Sequence, residues 1–335
     1  MFYIVLAFLW ISTFLYVMMG GADFGAGIVE FFSRKRAKDR VGKIMYQAMG
    51  PIWEANHMWL ILVIVILFVG FPDIYTTVAT YLYIPLIALL FGIIARGTAF
   101  GFRHYDAIQD RMQTLYTKIY VYSCLITPLF LGIIAGSIVS GKIDTQPNNF
   151  MDAFIHPWFD FFPILVGFYT IAVFGFIASI FIIKETGENI EEKNYAIDKA
   201  KQMNIMCILL AGMVFIVARQ NQIPLAEWLL GNPVSLTCVV LCSLSLIWLW
   251  YLLLKKQTYF LRIIAGSQIT LLFTAITYSL YPVIVRIKNS DGLSLVASGN
   301  EKSINYLGTA LLLGSIFIMP SFVYLVYGFS KKKFW

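Results

Sequence analysis

Charge is what this sequence has least of. Only 13% of its 335 residues are Asp, Glu, Lys or Arg, while 59% are hydrophobic and 16% aromatic. At a mean hydropathy of +0.77, a soluble domain of this size could not keep so much apolar surface out of water. Histidine, at three residues, and cysteine, at four, are scarce as well. There is no CxxC pair, no zinc spacing, no phosphate-cradling glycine loop and no nucleophile elbow. Cys124, Cys207, Cys238 and Cys242 all lie in apolar runs and read as packing residues, not ligands or a disulfide. His104 and His156 fall at the ends of apolar runs and read as interfacial residues. The opening MFYIVLAFLW has no basic n-region and no small-residue cleavage site after it, so it reads as a membrane helix and not a cleaved signal. A net charge of +7 would suggest nucleic acid in a soluble protein. Here it raises the question of which side of a bilayer each base faces, and no nucleic-acid partner is expected.

Long apolar runs, by contrast, fill the chain. A spanning helix needs about 20 mostly apolar residues, and nine stretches qualify: about 2–30, 44–70, 74–101, 116–140, 159–183, 203–219, 234–254, 259–285 and 306–329. The expectation is an all-α integral membrane protein of about nine transmembrane helices. It forms a single polytopic domain over 1–335, with helices 1–4 at about 2–140 and helices 5–9 at about 159–329. The polar stretches 141–158, 184–202 and 286–305 read as interhelical loops, and no internal repeat is visible. Basic residues alternate from loop to loop. Arg34, Lys35, Arg36, Lys38, Arg40 and Lys43 follow the first span, Arg103, Arg111 and Lys118 the third, and Lys331, Lys332 and Lys333 the last. The positive-inside rule therefore predicts the N-terminus outside and the C-terminus in the cytoplasm.

Three ionisable residues interrupt the spans. Asp23 lies in the first, within GGADFGAG, and Glu54 in the second, within GPIWEANHMW. Arg96 lies in the third, within ARGTAFGFR. At 1.5 Å per residue all three fall about 10–15 Å inside the cytoplasmic end. Burying any one alone costs several kcal/mol, so each must face protein or water. On a helical wheel Gln47, Glu54 and His57 share one face and make a polar line running inward, with Trp53 and Asn56 pointing elsewhere and Trp59 further out. Gly20, Ala26 and Gly27 fall on the Asp23 side of the first helix, and Gly21 and Gly25 on the opposite side, so that helix can be approached closely from two directions. Two readings fit the cluster: a structural ion pair of Arg96 with one or both acids, or a proton path. One base cannot neutralise two acids, and a leftover carboxyl suits proton transfer.

GGADFGAG, GPIWEANHMWLI and ARGTAFGFR, in that order on the first three spans, resemble subunit II of the cytochrome bd-type quinol oxidases. KETGE at 184–188 is similar to that family too. The resemblance implies two four-helix bundles plus one peripheral helix in a prokaryotic cytoplasmic membrane. It implies a haem-free chain that supports a haem-bearing subunit I, where b- and d-type haems oxidise quinol and reduce oxygen to water. It also admits a small single-helix subunit, bound lipid and a structural quinone. The acid matching Glu54, which is more often Asp in the family, is implicated in delivering protons from the cytoplasm. Asp23, Arg96, Gln47 and His57 join it as proton-path or subunit-interface residues. Trp53 and Trp59 are candidates for an oxygen path or packing. An ion-coupled secondary transporter using Asp23 and Glu54 would explain the same acids, as would a scaffold without chemistry of its own.

Overall fold

The computed structural model describes residues 1–33, 53–105, 111–186 and 189–331. Gln47 lies outside the described residues, as do the side chains of 53–55, and with them those of Trp53 and Glu54.

The chain is almost wholly helical. Its helices are α1 (Phe2–Phe31), α2 (Trp53–Gly70), α3 (Pro72–Tyr81), α4 (Tyr83–Tyr105), α5 (Arg111–Ser140), α6 (Phe150–Phe154), α7 (Phe161–Glu185), α8 (Ile190–Gln220), α9 (Leu225–Leu230), α10 (Pro233–Leu254), α11 (Leu261–Leu280), α12 (Leu295–Ser298) and α13 (Glu301–Lys331). Strands β1 (Val283–Val285) and β2 (Leu293–Ser294) pair antiparallel between α11 and α12. Among the described residues eight helices are long and apolar enough to cross a membrane, and the number reaches nine when a bent pair counts as one span.

That bent pair corrects the expected third span at 74–101. Gly70 ends α2, Phe71 is non-helical at φ −135° and Pro72 opens α3. Proline fits the first helical position, where no partner for an N–H is needed, and it pushes the residue before it out of the helical region. The axes of 56–70 and 72–81 consequently differ by 116°. The crossing helix is α4, which starts at Tyr83. Two further boundaries move. The sixth span was expected at 203–219, yet α8 begins at Ile190, because the Asn189 side chain accepts from the N–H groups of Glu191 and Glu192 and both acids favour a helix N-terminus. The eighth was expected to run to 285, but α11 stops at Leu280 and residues 283–285 join β1. The stretches read as plain loops thus contain α6, β2, α12 and the first turns of α8.

α1 sits at the centre, against α2, α5, α7, α11 and α13. All residues from Gly20 to Glu30 are buried. A helix enclosed on every side needs small residues wherever a neighbour's backbone comes close. A Cβ at Gly21 would meet Ile177 of α7, and one at Gly27 would lie 2.5 Å from Cys124 Cβ of α5. One at Gly25 would collide with the Phe174 carbonyl oxygen and stand 2.6 Å from Ala178 Cβ, both on α7. Around this stretch α4, α5 and α7 pack side by side, α8 packs on α7, and α10 and α11 form a further pair. α13 lies at the periphery, touching α1 and α2, and leaves Tyr306, Phe317, Val323 and Tyr324 exposed.

Gly25→Val is expected to destabilise the chain by about 1–3 kcal/mol through overpacking against α7. Gly101→Ala, at a position where an added Cβ meets nothing within 4 Å, should leave stability unchanged within a few tenths. The readout is the fraction remaining monodisperse in detergent after a heat step. Equal losses would show that the α1–α7 contact is not tight.

Candidate functional site

The buried half of α1 carries two acids, and α4 carries a base for each. Asp23 pairs with the Arg96 guanidinium, and the two side chains are essentially inaccessible. One heptad further along, Glu30 receives a bidentate pair from Arg103, with Nη1 and Nη2 each 3.0 Å from a carboxylate oxygen. Both pairs join residues 73 apart in the chain, as a fixed register between two helices running the same way requires. The rungs are about 10 Å apart along the axis.

Aromatic rings enclose the cations. Arg96 lies over Phe100, Phe24 and Tyr120, with its Cζ 4.8, 5.7 and 5.7 Å from the ring centroids. Arg103 lies 5.3 Å from the same Tyr120 ring, which therefore bridges the rungs from α5. Cation–π contact is strongest in such a desolvated setting. Bases also close the nearby helix ends. Lys199 donates to the Phe32 carbonyl at 2.7 Å, and Arg262 donates to the Phe181 carbonyl at 2.6 Å and to Glu185 at 2.9 Å. Cations at helix C-termini satisfy orphan carbonyls and oppose the dipole.

A polar seam departs from the inner rung. Ser12, Tyr16 and Asp23 lie along α1, and Asn56 of α2 abuts Gly20, its Nδ2 3.2 Å from where a Cβ would stand. The four residues are at most 3% exposed. The Ser12 and Tyr16 hydroxyls, the Asp23 Oδ2 and both ends of the Asn56 amide have no hydrogen-bond partner among the described residues. Such atoms cost about 1–3 kcal/mol each when left dry, so a seam of them calls for protons, water or a further polar side chain.

Of the sequence-selected residues, Asp23 and Arg96 therefore meet, and His57 is half-buried with its ring edge toward Phe24, the centroids 6.3 Å apart. Trp59 is buried against Phe322 of α13, rings edge-to-face at 5.4 Å. Glu54 rides on the second turn-forming residue of α2, but its side chain, like that of Trp53, lies outside the described residues, and so does Gln47. Sequence reasoning missed Glu30, Tyr16 and Tyr120, and it placed Arg103 among loop charges and Asn56 on an uninvolved face. The repeated seven-residue spacing, Asp23 to Glu30 and Arg96 to Arg103, was the available signal. Among the described residues no three His, Cys, Asp or Glu side chains gather as a metal site, and the four cysteines are free thiols.

Removing one partner of a buried pair costs about 3–5 kcal/mol, whereas replacing both by apolar groups can be close to neutral. Arg96→Leu is therefore expected to abolish recovery of folded chain, and Asp23→Leu combined with Arg96→Leu to restore much of it, measured as monodisperse yield. Additive losses in the double variant would show that the two residues are not coupled.

Comparison with known proteins agrees with this architecture. A bd oxidase structure from Geobacillus thermodenitrificans matches 96% of the chain and 98% of its own length, at a TM-score of 0.70 and 18% identity. A curated relative from Bacillus subtilis, cytochrome bd ubiquinol oxidase subunit 2, is 23% identical over 98% of this chain and 95% of its own length. Escherichia coli cytochrome bd-I ubiquinol oxidase subunit 2 is 25% identical over 42% of this chain and 37% of its own length. The family model for cytochrome bd terminal oxidase subunit II matches residues 1–329, so nearly the whole chain is accounted for, and the protein belongs to that family.

Proposed function

We propose that this chain is the haem-free subunit II of a bd-type quinol:oxygen oxidoreductase, and that it lends a proton path from the cytoplasm to the haem-bearing subunit I. In this reading the N-terminus is outside and the C-terminus cytoplasmic. The partner's b- and d-type haems supply the oxygen chemistry. A small single-helix subunit, lipid and a structural quinone complete the assembly. The observation that carries the proton path is the seam of buried, unpartnered polar atoms from Asp23 through Asn56 and Tyr16 to Ser12.

The division of labour follows from charge. Arg96 is committed to Asp23 and Arg103 to Glu30. Each of these two acids thus has its own base, and in this reading the Glu54 carboxyl takes a proton from the cytoplasmic side and passes it on. Asn56, two residues along α2, and the Tyr16 and Ser12 hydroxyls offer donors and acceptors for the onward transfer. In the same reading Gln47 extends the line toward the cytoplasm, and His57 continues it one turn deeper. The two ion pairs hold α1 and α4 in register so that the line keeps its spacing. Trp59, walled in by α13, and Trp53 serve packing at the subunit contact or an apolar route for oxygen. Family membership favours this assignment over an ion-coupled transporter, which would work without a haem partner.

The Glu54→Gln complex is expected to assemble with an intact haem spectrum while oxygen consumption falls by about 10²-fold, the scale of a lost proton-transfer group. Wild-type turnover with full haem content would remove the relay role, and loss of haem would make the acid structural. Tagged chain purified in mild detergent should bring down a haem-bearing partner in roughly equal amount. Solute uptake by the isolated chain in liposomes would favour the transporter instead.

A further inference from the structure

At the bundle end opposite the Glu30–Arg103 rung, the ends of α5 and α8 and the segment around β1 enclose a cavity of about 380 Å³. Val139, Ile223 and Val283 give it apolar walls, and Gln222, Arg286 and Asp291 give it polar ones. The cavity sits where two spanning helices stop, the level at which a bilayer's headgroups are expected.

Arg286 sets its chemistry. Its backbone is pinned: the Arg286 N–H donates to the Ile138 carbonyl at 2.9 Å and the Lys288 N–H to the Ile143 carbonyl at 2.8 Å. Its guanidinium lies 4.3 Å from the Trp228 ring centroid, and its buried Nε has no hydrogen-bond partner. Two other bases of this region are matched by acids: Lys142 pairs with Asp160 at 2.7 Å and Lys288 with Asp144 at 3.1 Å. Arg286 has no such acid within ion-pair distance among the described residues. Burial alone lowers its pKa, with no carboxylate acting against it. Asp291, exposed on the same cavity, makes no ion pair among the described residues either. The cavity therefore offers a preoriented, half-buried planar cation and an uncommitted carboxylate at its mouth.

We propose that this cavity binds the headgroup of a zwitterionic phospholipid bearing a primary amine, with the phosphate on Arg286 and the ammonium on Asp291. A stacked guanidinium is suited to bidentate phosphate recognition. The carboxylate selects an ammonium that can donate hydrogen bonds over a quaternary one, and the apolar wall receives the glycerol end of the acyl chains. The assignment concerns a site remote from the proton seam and does not depend on the relay role of Glu54.

The test uses the intact oxidase complex, delipidated in detergent and given phosphatidylethanolamine, phosphatidylcholine or phosphatidylglycerol, with retained lipid counted by native mass spectrometry. The wild type should retain phosphatidylethanolamine about tenfold better than phosphatidylcholine. Arg286→Gln should lose that retention, and Asp291→Asn should retain both lipids equally. Should Arg286→Gln fail to assemble, Arg286→Lys, which keeps the charge and loses the planar stack, should assemble with retention reduced several-fold. Equal retention of all three lipids by the wild type, or no change in the Arg286 and Asp291 variants, overturns the proposal. Binding of inorganic phosphate at Arg286 without selective lipid retention overturns the lipid assignment too.

Discussion

The structure depends on getting charge into the middle of a bundle without leaving it uncompensated. Asp23 and Arg96 are both fully enclosed, and neither could be there alone. The enclosure is produced by the glycine-rich run of α1, which lets α7 approach on one face and α5 on another. The ion pair and the small residues are therefore one device. Close packing excludes water and lipid from the charges, and the paired charges make such packing tolerable. Such a pair contributes specificity of position more than net stability, because desolvation consumes most of the Coulombic gain.

From that fixed point the remaining polar features fall into place. The Glu30–Arg103 rung, the cation of Lys199 on the α1 C-terminus and that of Arg262 on α7 satisfy the groups at one end of the bundle. At the other end Lys142 and Lys288 hold the loops by pairing with Asp160 and Asp144. Asp144 also accepts from the Gln146 N–H, and these contacts hold its pKa below the usual carboxylate range. Unmatched buried polar atoms gather in the seam on the α2 side of α1, and one lies at the Arg286 cavity; these two places carry the functional proposals.

Much of this was legible in the sequence, because a membrane imposes a coarse signal. Runs of apolar residues located the spans, and the glycine spacing in GGADFGAG correctly announced two close faces of α1. What hydropathy does not encode was lost. The polar residues 190–202 belong to α8 because Asn189 caps it, a local hydrogen bond that no apolar count registers. The Gly70–Phe71–Pro72 break lies inside an apolar stretch, where composition alone argues for continuity. Glu30 and Arg103 sit at the rims of apolar runs, so each looked like a solvated end charge, and only their common offset from Asp23 and Arg96 betrays the pairing. Asn56 was assigned to an idle face because the wheel was drawn around Glu54, whereas the helix that receives it is α1, at Gly20.

Two rungs between the same two helices do more than one. A single ion pair is a pivot about which α1 and α4 could swing. A second, a heptad away and sharing the Tyr120 ring, removes the swing and rules out slippage by three or four residues, which would mismatch both pairs. The first and third spans are thus held in one register by the two rungs. α2 lies between them in the chain and ends at the sharp corner before Pro72. The stagger of two spans is thereby set across an intervening helix and a corner of the chain.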